Sequence, residues 1–152
     1  MSYITPHPAN RLLSLHTDPS ITGTVTPTVL GTITVPGGSM GPNGMLKITM
    51  LVSVTNSANI KNLLIKFGSF SAYTLNLTTS NSAQTLLILR NRGSLVAQVM
   101  NPSGGGPYGN SNSAAITCAI DTALPFDITV TATLANTGET ITLNSFDVEV
   151  IR

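Results

Sequence analysis

The sequence has six carboxylates, two histidines and one cysteine with which to do acid–base, nucleophilic or metal-binding chemistry. Glycoside hydrolysis needs two carboxylates facing one bond, and a zinc centre needs Cys, His or acidic ligands at close spacing. Asp18, Asp121, Asp127, Glu139, Asp147 and Glu149 are scattered, and no two of them make a compact acidic motif. Asp147 and Glu149 alternate with Phe146, Val148 and Val150, so both sit on the solvent face of one strand. Neither would be desolvated and no cleft is implied, so they are a poor candidate pair for that chemistry. The pair reads as solubilising charge at a sheet edge. His7 and His16 have no Cys, Asp or Glu partner at ligand spacing. No catalytic residue, metal site or cofactor is expected.

Cys118 alternates with Ile116 and Ile120 and reads as a small buried hydrophobe. As the single cysteine it excludes an intrachain disulfide and the disulfide-rich secreted class. Gly104-Gly105-Gly106 leads into Pro107 and Tyr108, without the Gly-Lys-Ser/Thr that opens the helix of a phosphate loop. The stretch 101–112, NPSGGGPYGNSN, is an exposed loop of turn-forming residues. Tyr108, Asn110 and Asn112 give it the chemistry of adaptable contact loops, with plain flexibility as the alternative. Asn76-Leu77-Thr78 matches a glycosylation sequon by chance, because the N-terminus has no signal-peptide pattern.

The elements that must position these groups are strands. Apolar residues alternate with polar ones from about residue 27 onward, and no apolar stripe of helical period is long enough for a substantial helix. Expected strands are Thr28–Val35, Met45–Thr55, Asn62–Phe67, Phe70–Leu77, Ala83–Asn91, Ser94–Met100, Ser113–Ile120, Phe126–Ala135 and Glu139–Ile151. Met45–Thr55 is the clearest, with Leu46, Ile48, Met50, Val52 and Val54 on one face. Gly68-Ser69 and Arg92-Gly93 predict two hairpin turns, and Asn136-Thr137-Gly138 a third tight turn. In the last strand the apolar parity moves from Ile141 and Leu143 to Phe146, Val148 and Val150. A slip of one residue predicts a β-bulge near Asn144-Ser145.

About nine short strands with short turns predict an all-β chain folded as an antiparallel β-sandwich, jelly roll or immunoglobulin-like. The sequence has no Trp and no Cys pair, which favours the jelly roll. At 152 residues the chain fits one domain with a sizeable core. Only 9% of residues are charged and the formal net charge is +1. Scattered single Lys and Arg give no basic stripe for a nucleic-acid backbone. The longest apolar runs fall far below the ~18 residues of a membrane helix. Little net charge means little repulsion between copies, which points to a homo-oligomer, dimer or trimer.

Residues 1–26 are read apart from the sandwich domain of residues 27–152, as an extended N-terminal arm in which Asn10–Leu15 admits one helical turn. The arm's Ile4, Leu12, Leu13, Leu15 and Ile21 are needlessly apolar for a free tail and read as anchors for a partner. A frayed terminus is the alternative.

One ordered series of residues looks familiar. Pro36, Gly41, Asn43, Gly44 and Leu46 are followed by Thr55-Asn56-Ser57-Ala58-Asn59, Lys61 and Leu63, then Phe67-Gly68, then Asn91-Arg92-Gly93. The series resembles a β-sandwich module of tailed-bacteriophage structural proteins, found in tail fibres and in capsid decoration proteins. The resemblance covers about residues 28–151 and brings no catalytic residues. It implies a virion protein with the major capsid protein as partner; the scattered charges, short apolar runs and missing signal-peptide pattern add the expectation of a protein made in the host cytoplasm that binds neither nucleic acid nor membrane. On that implication the arm fastens neighbouring capsomers. The alternative is a tail-fibre or appendage tip that reads a host glycan or protein through Tyr108, Asn110 and Asn112.

Overall fold

The computed structural model describes residues 11–15, 17–102 and 111–152. Ile4, His7, His16, Tyr108, Asn110 and the triple glycine lie outside them. The described residues form eleven strands and no helix: β1 (Arg11–Leu15), β2 (Ser20–Thr22), β3 (Thr28–Val35), β4 (Met45–Val54), β5 (Lys61–Phe67), β6 (Phe70–Leu77), β7 (Ser82–Asn91), β8 (Gln98–Met100), β9 (Ile116–Cys118), β10 (Phe126–Leu134) and β11 (Thr140–Ile151). They build two antiparallel sheets. One has the order β1-β11-β4-β7-β8-β9, with β2 also on β11; the other has the order β3-β10-β5-β6.

Taking β1 and β2 as one interrupted strand, the pairs are nested: β1/β2 with β11, β3 with β10, β4 with β7 and β5 with β6. First pairs with last, second with next to last, and so inward. A long hairpin wound in this way over two layers is a jelly roll, with β8 and β9 as an insertion that widens the first sheet.

This pairing corrects the expected arm. Residues 11–15 are a strand rather than a helical turn, and both β1 and β2 complete the sandwich on β11. Ile21 is buried in the core, and Leu13 and Leu15 pack against it. Leu15 explains a glycine in the facing sheet, since a Cβ on Gly31 would stand 2.7 Å from Leu15 Cδ2. The segment escaped the strand pattern because Pro19, Gly23 and Pro27 chop it into pieces too short to show a period. Covering β11 with β1 also means that Asp147 and Glu149 lie inside a sheet, not at its edge.

The core is the shared inner face of both sheets. Leu46, Ile48, Met50, Val52 and Val54 of β4 all point inward, as their alternation requires. The expected bulge in β11 is present: Leu143 pairs with Val52 and Ser145 with Leu51, leaving Asn144 as the extra residue. Leu30 and Ala72 are extra residues in β3 and β6, which the sequence pattern did not mark. The Gly68-Ser69 hairpin forms, with Gly68 at φ 57°. The Arg92-Gly93 hairpin does not: residues 92–97 form a longer connection, and the expected strand shrinks to β8. The strand expected at Ser113–Ile120 shrinks likewise to β9, where Cys118 is half-buried rather than buried.

Candidate functional site

Each end of the sandwich is closed by a buried polar network. At the first end Asn91, Gln98 and Thr122 are all buried. Asn91 Nδ2 donates to Gly41 O at 2.7 Å and to Thr122 Oγ1 at 3.0 Å. Gln98 Nε2 donates to Asn91 Oδ1 at 2.9 Å, and Gln98 Oε1 accepts Ile120 N at 2.9 Å. Thr122 closes the circuit, its hydroxyl and its backbone N–H both donating to Leu95 O at 2.8 Å. Loops 36–44, 92–97 and 119–125 are thereby tied to one hub. A buried polar network whose members are satisfied fixes backbone more tightly than a loop does alone. Cys118 belongs to its edge: Sγ donates to Gln98 Oε1 at 3.6 Å, and burial pushes the thiol's pKa up, which keeps it protonated.

The hub presents two large apolar side chains to solvent, Val96 and Leu124, 53% and 60% exposed. They sit on the two loops that the Leu95–Thr122 hydrogen bonds hold together. The hub thus holds the loops that carry these two exposed groups.

At the opposite end the Lys61 side chain has no exposure and lies 3.5 Å from Glu139 Oε1. Lys61 Nζ also donates to Asn59 O at 2.7 Å and Ser57 Oγ at 2.9 Å, while Ser57 donates to Glu139. The Ser57 hydrogen bond is the main influence holding the Glu139 carboxyl below its ordinary pKa; burial opposes it, and Asn59 and the Lys61 charge reinforce it. Serine, lysine and carboxylate in contact invite a catalytic reading. Yet the ammonium is saturated with acceptors and sealed from solvent, and the hydroxyl proton is committed to Glu139. The cluster is a latch joining loop 55–60 to the β10–β11 turn.

The residues singled out in the sequence fall as follows. Leu12 is exposed, at 64%, whereas Leu13, Leu15 and Ile21 are engaged within the chain's own sandwich and are not free anchors. Asn112 is exposed on the connection to β9. Asp147 and Glu149 share the outer face of the larger sheet, where Lys47 lies 3.8 Å from Glu149. Among the described residues no group of three His, Cys, Asp or Glu side chains could hold a metal ion. The resemblance series maps onto the two latches. Gly41, Gly44 and Asn91 build the first; Ser57, Asn59 and Lys61 build the second.

The fold defines a jelly-roll β-sandwich. No protein-family model and no curated protein matches the chain. Among solved structures, dimeric latent PorU from Porphyromonas gingivalis aligns over 93% of this chain at 7% identity, with a TM-score of 0.49. The chain spans only 12% of that protein's length. The VP2 subviral particle of infectious bursal disease virus aligns over 100% of this chain and 46% of its own, at 13% identity and a TM-score of 0.40. Basic winged bean lectin with Tn-antigen aligns over 93% and 98%, at 10% identity and a TM-score of 0.38. Likenesses this slight carry nothing about function, and the fold assignment rests on the nested strand pairing.

Proposed function

We propose that the chain is a bacteriophage virion structural protein, a non-catalytic capsid decoration or cement protein that binds the outer capsid surface and stabilises capsomer contacts. The observation that carries this reading is the Val96–Leu124 platform. Two exposed apolar groups fixed before binding lose little conformational freedom on docking, so most of their burial is available as affinity. The partner is the major capsid protein, and many copies on a lattice multiply a modest single contact through avidity. The resemblance to tailed-bacteriophage modules supports the virion assignment. The segment ahead of β1, with Ile4, is a second contact on this reading.

The test is co-sedimentation of the purified protein with decoration-free expanded capsids of the phage that encodes it. Binding in proportion to the capsid lattice, with a higher temperature of capsid rupture, is the expected result. Val96→Asp combined with Leu124→Asp should weaken binding while leaving the melting temperature of the free protein in place. Capsids that ignore the wild-type protein, or bind the double variant equally well, sink the proposal. Binding to host cells or glycans that disappears in Tyr108→Ala would replace it with the receptor-recognition reading.

A further inference from the structure

The two outer faces of the sandwich differ in kind. That of the β3-β10-β5-β6 sheet carries mostly hydroxyls and amides, among them Thr32, Thr34, Thr129, Thr131, Asn62 and Asn76, with Val29, 57% exposed, near one end and the charges of Lys66 and Asp127 in no self-complementary row. The outer face of the larger sheet carries leucine, isoleucine and charge. Its central row reads Ile88 on β7, Lys47 on β4, Glu149 on β11 and Leu12 on β1, each directly opposite the next. Ile88 and Leu12 are 40% and 64% exposed, and Leu51, on the same face, is 41% exposed.

Across the strands that row is apolar, positive, negative, apolar, which is its own complement. Let a second copy lie face to face on this sheet, related by a two-fold axis that runs along the strands midway between β4 and β11. The rotation puts β4 of each copy over β11 of the other and β7 over β1. Lys47 then meets the other copy's Glu149, and Ile88 meets the other copy's Leu12. In the adjoining row, Leu86–Thr49–Asp147–Ser14, the same rotation sets the Thr49 hydroxyl against the Asp147 carboxylate. Packed sheets rotate by about 30° against each other, which shifts corner residues most and residues beside the axis least. Lys47 and Glu149 flank the axis.

We infer that the outer face of the β1-β11-β4-β7 sheet is an isologous dimer interface between two copies of this chain, with Lys47 and Glu149 exchanging partners across it. Four strands about 4.8 Å apart and about nine residues long give a projected face of roughly 500 Å². Side-chain relief raises that toward the ~800 Å² per partner of a standard interface. A shallow depression of about 340 Å³ between Leu12, Lys47, Asp147 and Glu149 gives the facing side chains a seat. The inference goes beyond the capsid assignment and holds whatever the dimer binds.

The experiment is sedimentation velocity on the full chain at high micromolar concentration, comparing wild type with Lys47→Glu and Glu149→Lys. Each reversal also sets like charges opposite each other within the chain, where Lys47 and Glu149 lie 3.8 Å apart, so both variants should keep the wild-type circular dichroism spectrum and lose a similar small amount of melting temperature. The wild type is expected to be dimeric and each single variant monomeric, because like charges then face each other across the axis. Mixing the two variants should restore a dimer, since the acidic face of one then meets the basic face of the other. A monomeric or trimeric wild type overturns the inference. So does a dimer indifferent to both substitutions, or a mixture of variants that stays monomeric.

Discussion

Lys61 and Glu139 form an ion pair with side chains 0% and 4% exposed, at the end of the sandwich remote from the Asn91 hub. Removing one partner strands the other charge in the protein, while replacing both with apolar groups removes the desolvation problem. Glu139→Ala should therefore lower the melting temperature by more than Lys61→Met with Glu139→Leu does. Thermal denaturation of the three proteins checks this, and equal losses would count against the latch.

The same pair sets an acid limit. The Glu139 carboxyl has a folded-state pKa below its ordinary value of 4.5. Its contribution is thus complete above that ordinary value and is lost as pH falls through the lower, folded one. Melting temperature followed from neutral pH into the acid range should fall below about 4.5 for the wild type. In Glu139→Gln the fall should be shallower, from a lower neutral-pH starting point.

Asn91 holds the other end. Asn91→Ala leaves Gln98 Nε2 without one of its acceptors and Gly41 O without its donor. A loss of about 1–3 kcal/mol is expected from the buried groups left unpaired. Hydrogen exchange should speed up in loops 36–44 and 119–125 together, because one residue ties both.

Gly44 and Gly38 should respond differently to alanine. A Cβ on Gly44 would collide with the Met40 carbonyl oxygen and stand 2.7 Å from Ile151 O, both fixed backbone. Gly38 is at φ +69° with open space around it, so alanine there costs only about 1–2 kcal/mol of left-handed strain. Denaturant titration should find Gly44→Ala much the less stable of the two.

Ile21 and Leu12 separate a strand from an arm. Ile21 is 3% exposed and belongs to the core, so Ile21→Ala should cost about 2–5 kcal/mol. Leu12→Ala should leave the stability of the monomer near wild type. Equal tolerance at both positions would restore the reading of residues 11–22 as a free arm.

Most of the sandwich was legible because period-two alternation survives wherever a strand is long and half-buried. β3 and β6 match their expected bounds, and the parity slip located the Asn144 bulge. β1 and β2 were missed because five and three residues cannot establish a period, and their pairing is with residues more than a hundred positions away. The polar latches leave a trace in the strand parity. Lys61 has the parity of the inward Leu63, Ile65 and Phe67, and Glu139 that of Ile141 and Leu143, so each charge occupies a core position. The platform residues Val96 and Leu124 left none, since loops have no period and their exposure follows from hydrogen bonds between distant segments. Tyr108 and Asn110 lie outside the described residues, and Asn112 is exposed on the connection to β9.

The nested pairing also governs how the molecule comes into being. Among the described residues β1 and β2 pair with β11 alone, so on the ribosome these two strands lack that mate until residues up to Ile151 have emerged. Two local hairpins can close early, β5–β6 through its two-residue turn and β7–β8 across residues 92–97. Pairing that spreads outward from such local hairpins closes the largest loop last, a route that topology makes slow. During that interval the apolar residues of the early strands are the part of the nascent protein most in need of a chaperone.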